Sequence, residues 1–176
     1  MKTILMSIRP KWVAKILNGE KTVEIRKKFP KDYVGWVYIY CTKDKQLTLR
    51  NERYILINGE KYHIDSPVLN GKVVTRFWCD KVEKIHSYLE PEQWYMTSDL
   101  GGSGLLQKSC LTFKELDDYL LSGEGYAIHI TKLEIFDRPK EISEFWNNGK
   151  KVKGHNGTYQ YSKITRAPQS WCYVEI

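Results

Sequence analysis

No apolar run in the sequence approaches the ~18 residues of a membrane span. Charge also interrupts the opening stretch, Met1-Lys2-Thr3-Ile4-Leu5-Met6-Ser7-Ile8-Arg9-Pro10, too early for a signal-peptide core. A cytoplasmic location is therefore expected, with no membrane partner. Cysteine is sparse. Cys41, Cys79, Cys110 and Cys172 form no Cys-x-x-Cys pair and have no histidine at ligand spacing, so a zinc site is not expected. His63, His86, His129 and His155 are equally scattered, and the reading is of no metal and no cofactor. A chain of 176 residues needs no disulfide staple, so the cysteines read as reduced core residues. Six prolines and twelve glycines are too few for a collagen-like or low-complexity chain. There is no Gly-x-Ser-x-Gly elbow. Gly101-Gly102-Ser103-Gly104 lacks the Lys-Ser/Thr of a phosphate loop and reads as a mobile surface loop.

What is present is a soluble globular composition, 41% hydrophobic and 28% charged, of a length that suits one domain over 1–176. The net charge of +7 is unevenly spread. Residues 1–31 carry +7, 32–88 carry +2, 89–137 carry −6 and 138–166 carry +5. Two basic ends thus bracket an acidic middle, and a basic face suited to phosphate-rich partners forms if the ends meet. Lysine outnumbers arginine by 21 to 7, which fits a solubilising surface better than base-edge reading.

Periodicity predicts many short strands. Ile4 to Ile8 reads as a buried strand, and Pro10 opens a helix carrying Trp12, Val13, Ile16 and Leu17, stopped by Asn18-Gly19. Thr22, Glu24, Arg26 and Lys28 then alternate with Val23, Ile25 and Phe29, a strand with one ionic face. Further strands are expected at Trp36–Cys41, Val73–Val82, Tyr126–Phe136 and Trp171–Ile176. A hairpin around Asn58-Gly59 is expected as well. Helices are expected from Glu90-Pro91-Glu92, from Thr112 to Leu121 behind a Thr112/Glu115 capping box, and around Ile142–Trp146. The expected class is α+β, a mostly antiparallel barrel with helices packed outside.

The densest polar feature is Gly19-Glu20-Lys21-Thr22-Val23-Glu24-Ile25-Arg26. Gly19 turns the chain from helix to strand and puts Lys21 at the corner. Thr22, Glu24 and Arg26 share a strand face, where an acid between two bases orients the cations toward a ligand. Gly19-x-Lys21-x-x-Glu24-x-Arg26, preceded by Ser7-Ile8-Arg9-Pro10 and the helix, resembles the hallmark of the ASCH (activating-signal-cointegrator homology) domain. That domain belongs to the PUA-like superfamily of RNA-binding β-barrels. The resemblance covers about the first 45 residues and returns at Arg166-Ala167-Pro168-Gln169-Ser170-Trp171, similar to the tail of phage and bacterial ASCH proteins. Segments 42–66 and 89–125 would be insertions in the small barrel.

The resemblance implies a cleft floored by Lys21, Glu24 and Arg26, with Ser7 and Arg9 at its rim. A small bacterial ASCH enzyme is an acetylcytidine amidohydrolase whose catalytic lysine matches Lys21. Its nucleophilic threonine falls at Glu24, and its catalytic glutamate falls where this chain has Ser109 and Cys110. Trp171, delivered by a polar loop, suits base stacking, and Gln169 suits a base edge, beside the basic Arg166. Three functions follow as expectations. The first is an RNA- or nucleotide-binding module acting in RNA handling or gene regulation. The second is a metal-independent hydrolase, either a ribonuclease or a modified-nucleoside amidohydrolase, using Lys21 and Glu24 as an acid–base pair. The third is an adaptor docking a protein partner through 89–137, where Asp117, Asp118 and Glu124 lie.

Overall fold

A computed structural model describes residues 2–50, 53–57, 60–64, 68–90, 93–121, 123–153 and 158–176; for 53–57, 60–64, 89–90, 93–95, 148–153 and 159–160 it describes the backbone alone. The elements in chain order are β1 (Thr3–Ile8), α1 (Pro10–Leu17), β2 (Val23–Arg26), β3 (Gly35–Cys41), β4 (Arg53–Ile57), β5 (Glu60–Ile64), β6 (Val73–Cys79), β7 (Val82–Glu90) and β8 (Gln93–Thr97). They continue with α2 (Gly101–Ser109), α3 (Phe113–Leu120), β9 (Glu124–His129), β10 (Thr131–Lys140), a 3-10 turn (Ile142–Glu144), β11 (Trp146–Lys153), β12 (Tyr159–Lys163) and β13 (Trp171–Glu175). Among the described residues no helix is long and apolar enough to cross a membrane.

The fold is α+β and mostly strand. One sheet has seven strands in the order β10-β6-β3-β1-β13-β11-β12, another has four in the order β2-β9-β7-β8, and β4 pairs β5 alone. The edges of the two larger sheets, β10 with β12 and β2 with β8, do not pair with each other, so neither sheet closes into a barrel. By contact the chain divides into two compact units. The first is 1–14, 37–76 and 134–176; the second is 15–36 and 77–133.

The first unit is built around β1, which pairs antiparallel with β13 and parallel with β3. Strands covered on both faces read as continuous apolar runs. Ile4, Leu5, Met6 and Ile8 of β1, and Val37, Ile39 and Cys41 of β3, are accordingly all buried. Phe145 and Val174 join this core. In the second unit, Val23 and Ile25 of β2, Ile85 of β7 and Ala127 of β9 pack against Leu105 of α2 and Leu116 and Leu120 of α3.

Several sequence expectations need correction. Glu90 ends β7 and Gln93 begins β8, and the two strands pair antiparallel with Tyr88 in register with Tyr95, so the described residues on either side of 91–92 are strand rather than helix. Gly101-Gly102-Ser103-Gly104 is the first part of α2 rather than a loop, held as helix by Leu105, which is fully buried. Tyr126–Phe136 divides into β9 and β10 on different sheets, and Val73–Val82 into β6 and β7. The capping box of α3 forms as expected, with Thr112 and Glu115 bonding reciprocally. The strands on either side of Asn58-Gly59 pair with Ile57 opposite Glu60, while the two turn residues lie outside the described set.

Candidate functional site

Helix α1 ends because Gly19 takes a left-handed φ of +74°, a conformation that side chains with a Cβ disfavour. The reversal is closed by backbone bonds: the N–H groups of Glu20 and Lys21 both donate to the Lys15 carbonyl, at 2.9 and 3.0 Å. Lys21 is thereby aimed inward rather than left at an exposed corner. Its side chain is 2% exposed. The Nζ donates to the carbonyl oxygen of Ser109 at 2.6 Å and stands 3.3 Å from Oε2 of Glu24. Ser109 is the last residue of α2, where unsatisfied carbonyls carry the negative end of the helix dipole and attract a cation.

Glu24 lies between two cations. Its Oε1 is 3.0 Å from the guanidinium of Arg26, whose side chain is 11% exposed. The spacing follows from β2, which pairs antiparallel with β9 so that Glu24 faces Ile128 and Arg26 faces Tyr126. Glu24 and Arg26 are two apart and share a face; Val23 and Ile25 take the other and enter the core. Thr22 is exposed, and its N–H donates to the Lys108 carbonyl at 2.9 Å, so the run into β2 is also tied to the end of α2. The three charges therefore form one buried ionic set rather than exposed edge pairs.

The other nominated residues lie in the first unit. Ser7 is buried, its hydroxyl donating to the Pro168 carbonyl at 2.7 Å and its N–H to the Ser170 carbonyl at 2.9 Å. Ser7 thus holds the segment that presents Arg166, Gln169 and Trp171. Arg9, Arg166 and Gln169 are exposed. Trp171 is the first residue of β13, as expected, half-buried and edge-on to Tyr173 at 5.5 Å.

A second buried carboxylate gave no signal in the sequence. Glu83 of β7 is 5% exposed. It accepts from the Ser98 hydroxyl and, at 2.7 Å, from the Asp99 N–H, in the lead into α2. Nε2 of His129 is 3.6 Å from its other oxygen, and Lys81 Nζ is 3.8 Å away while pairing with Asp99 at 2.7 Å. That Lys81 contact raises the lysine's pKa and lowers that of Asp99 through a shared hydrogen bond. Alternation places Glu83 on a strand with Lys81 two residues before it, but Ser98, Asp99 and His129 come from 15 to 46 residues away, too far for any spacing rule. Cys41 and Cys79 are buried, and burial pushes both thiols up to about 12. Among the described residues no three His, Cys, Asp or Glu side chains converge as a metal site.

The architecture gives the class: this is an ASCH-type α+β fold. The ASCH protein from Zymomonas mobilis matches at a TM-score of 0.57 and 15% identity, over 99% of this chain and 88% of its own. Two point-mutant forms of that protein match at the same TM-score with 15% and 14% identity, over 99% of this chain and 91% and 89% of theirs. No protein-family model and no curated protein matches the sequence.

Proposed function

We propose that the chain is an RNA- or nucleotide-binding module of the ASCH type, acting in RNA handling or gene regulation, with Lys21, Glu24 and Arg26 as its recognition element. The observation that carries this reading is one ionic set in which Lys21 and Glu24 are buried and the Arg26 side chain is 11% exposed. Taking each ion out of water costs several kcal/mol after relaxation, and well-packed apolar residues of similar volume often serve stability as well or better. A buried ionic set is thus weak support for stability and stronger support for recognition of a charged or polar ligand. Arg26 offers the planar fork that matches phosphate, and Glu24 fixes its orientation. The exposed Arg9 and Arg166, with Gln169 and Trp171, add candidate backbone and base contacts in the first unit.

The test is binding of mononucleotides, short single-stranded RNA, duplex RNA and DNA at two salt concentrations. Affinity that falls steeply with salt and is lost in Arg26→Gln supports the module. No binding to any of these at tens of micromolar would remove it. The 3.3 Å Lys21–Glu24 pair also supports a second reading, a hydrolase of modified nucleosides or RNA, because an ammonium beside a carboxylate is the geometry of an acid–base pair. Turnover of acylated nucleosides or RNA that survives Lys21→Met and Glu24→Gln unchanged would eliminate it.

A further inference from the structure

One face of the seven-stranded sheet carries a row of rings and lysines, set by strand register. On β13, Trp171 and Tyr173 are two apart and lie opposite Met6 and Ile4 of β1. Trp146 of β11 lies opposite Glu175 of β13 on one side and opposite Lys163 of β12 on the other. Directly opposed residues share a sheet face, and so do residues two apart on a strand. Trp171, Tyr173, Glu175, Trp146 and Lys163 therefore stand on the same side of three adjacent strands. Met6 and Ile4 share the rings' side and are fully buried, as Phe145 and Val174 are on the opposite side. The rings' side opens only away from β1, where Trp146, Glu175 and Lys163 are exposed.

These rings are not spent on the core. Trp146 is 39% exposed, and Trp171 and Tyr173 are half-buried. Each flank of the row has a cation over a ring: Lys163 Nζ lies 5.4 Å from the Trp146 ring centre, and Lys2 Nζ lies 5.1 Å from that of Tyr173. The segment 138–166, which supplies β11 and β12, carries a net charge of +5. Glu175 is the single carboxylate among the residues named here, and it is exposed.

We propose that this face of β13, β11 and β12 is a stacking platform for single-stranded nucleic acid, with bases against Trp146 and Tyr173 and phosphates beside Lys163 and Lys2. Every base has a π-face, so exposed rings bind single strands with little regard to sequence, while adjacent lysines follow the backbone. A duplex keeps its bases stacked on one another and has no free face to offer. Charge complementarity selects a polyanion over other occupants of an aromatic sheet face. The platform is built on the seven-stranded sheet, whereas the ionic set stands on β2 of the four-stranded sheet and shares no residue with it. It would stand even if Lys21 and Arg26 bound nothing.

Fluorescence anisotropy with labelled oligo-uridine, oligo-thymidine and a short RNA duplex tests it on the full-length chain. Trp146→Leu should weaken both single strands by about fivefold or more, the lower end of what a stacked base contributes. Trp146→Phe should retain most of the affinity, and Lys163→Gln should lower the salt dependence. Arg26→Gln separates the two sites: it should abolish mononucleotide binding if the ionic set recognises nucleotides, while the fold-loss on Trp146→Leu remains. Oligo-uridine affinity unchanged in both Trp146→Leu and Lys163→Gln overturns the platform. So does duplex binding as tight as that of the single strands.

Discussion

The ammonium of Lys21 donates to the carbonyl oxygen of Ser109 at 2.6 Å, joining the lead into β2 to the last residue of a helix 88 positions later. That bond changes what the lysine is worth. A corner lysine is removable at little cost, whereas this one satisfies a helix-end carbonyl and a carboxylate that is only 8% exposed.

Lys21→Met is therefore expected to destabilise the fold by about 1–3 kcal/mol, because Glu24 and the Ser109 carbonyl lose a buried charged donor. Lys21→Arg should recover part of the loss. Urea unfolding of the two variants measures the difference, and a Lys21→Met midpoint equal to that of the parent would refute the buried-set geometry.

Removing the carboxylate is expected to cost more. Glu24→Ala takes the shared carboxylate from the buried Lys21 and from Arg26, a loss on the order of 3 kcal/mol for breaking a buried pair. Glu24→Ala combined with Lys21→Met should lose less than the sum of the two single losses, since the pair interaction is counted twice in that sum. A double-mutant cycle by thermal or chemical unfolding checks this.

Alkali should weaken the fold through Cys41 and Cys79. Burial raises both thiol pKa values to about 12 from an ordinary 9.0, so the native state favours the neutral form. The sign follows: their contribution is complete below pH 9 and is lost progressively as pH rises toward 12, while the unfolded chain ionises first. Replacing both by alanine should flatten that alkaline slope, as measured by melting temperature against pH. In the native protein at pH 8 both thiols should resist alkylation.

Gly125→Ala tests how tightly β9 packs. A Cβ there would stand 2.7 Å from Leu120 Cδ2 and 3.3 Å from the Arg26 carbonyl oxygen. Overpacking of this kind costs about 1–3 kcal/mol. Because Arg26 is one of the two groups crowded, nucleotide binding should weaken in the same variant; titration alongside unfolding measures both effects.

Local chemistry was legible wherever partners lie close in sequence. The end of α1 at Gly19, the capping box of Thr112 and Glu115, and the shared face of Glu24 and Arg26 all follow from spacing. What could not be read was set by pairing at long range. Tyr126–Phe136 looks like one strand, yet its two halves join different sheets. The glycines of 101–104 signal a loop by propensity, but burial of Leu105 overrides propensity. Ser109 matters through its carbonyl, a group every residue has, so no side-chain pattern could have nominated it.

Helix α2 is nine residues long, has three glycines in its first four positions, and gains no side-chain cap at its N-cap residue. A segment this short and glycine-rich has almost no helicity of its own in water. Its two ends are fastened from outside, by Glu83 through Ser98 and Asp99 at the start and by Lys21 at the finish. The helix is consequently a reporter of its own moorings: amide exchange along 101–109 tracks whether each tether is fastened, and an anion that draws Lys21 away from Ser109 would register there as lost protection.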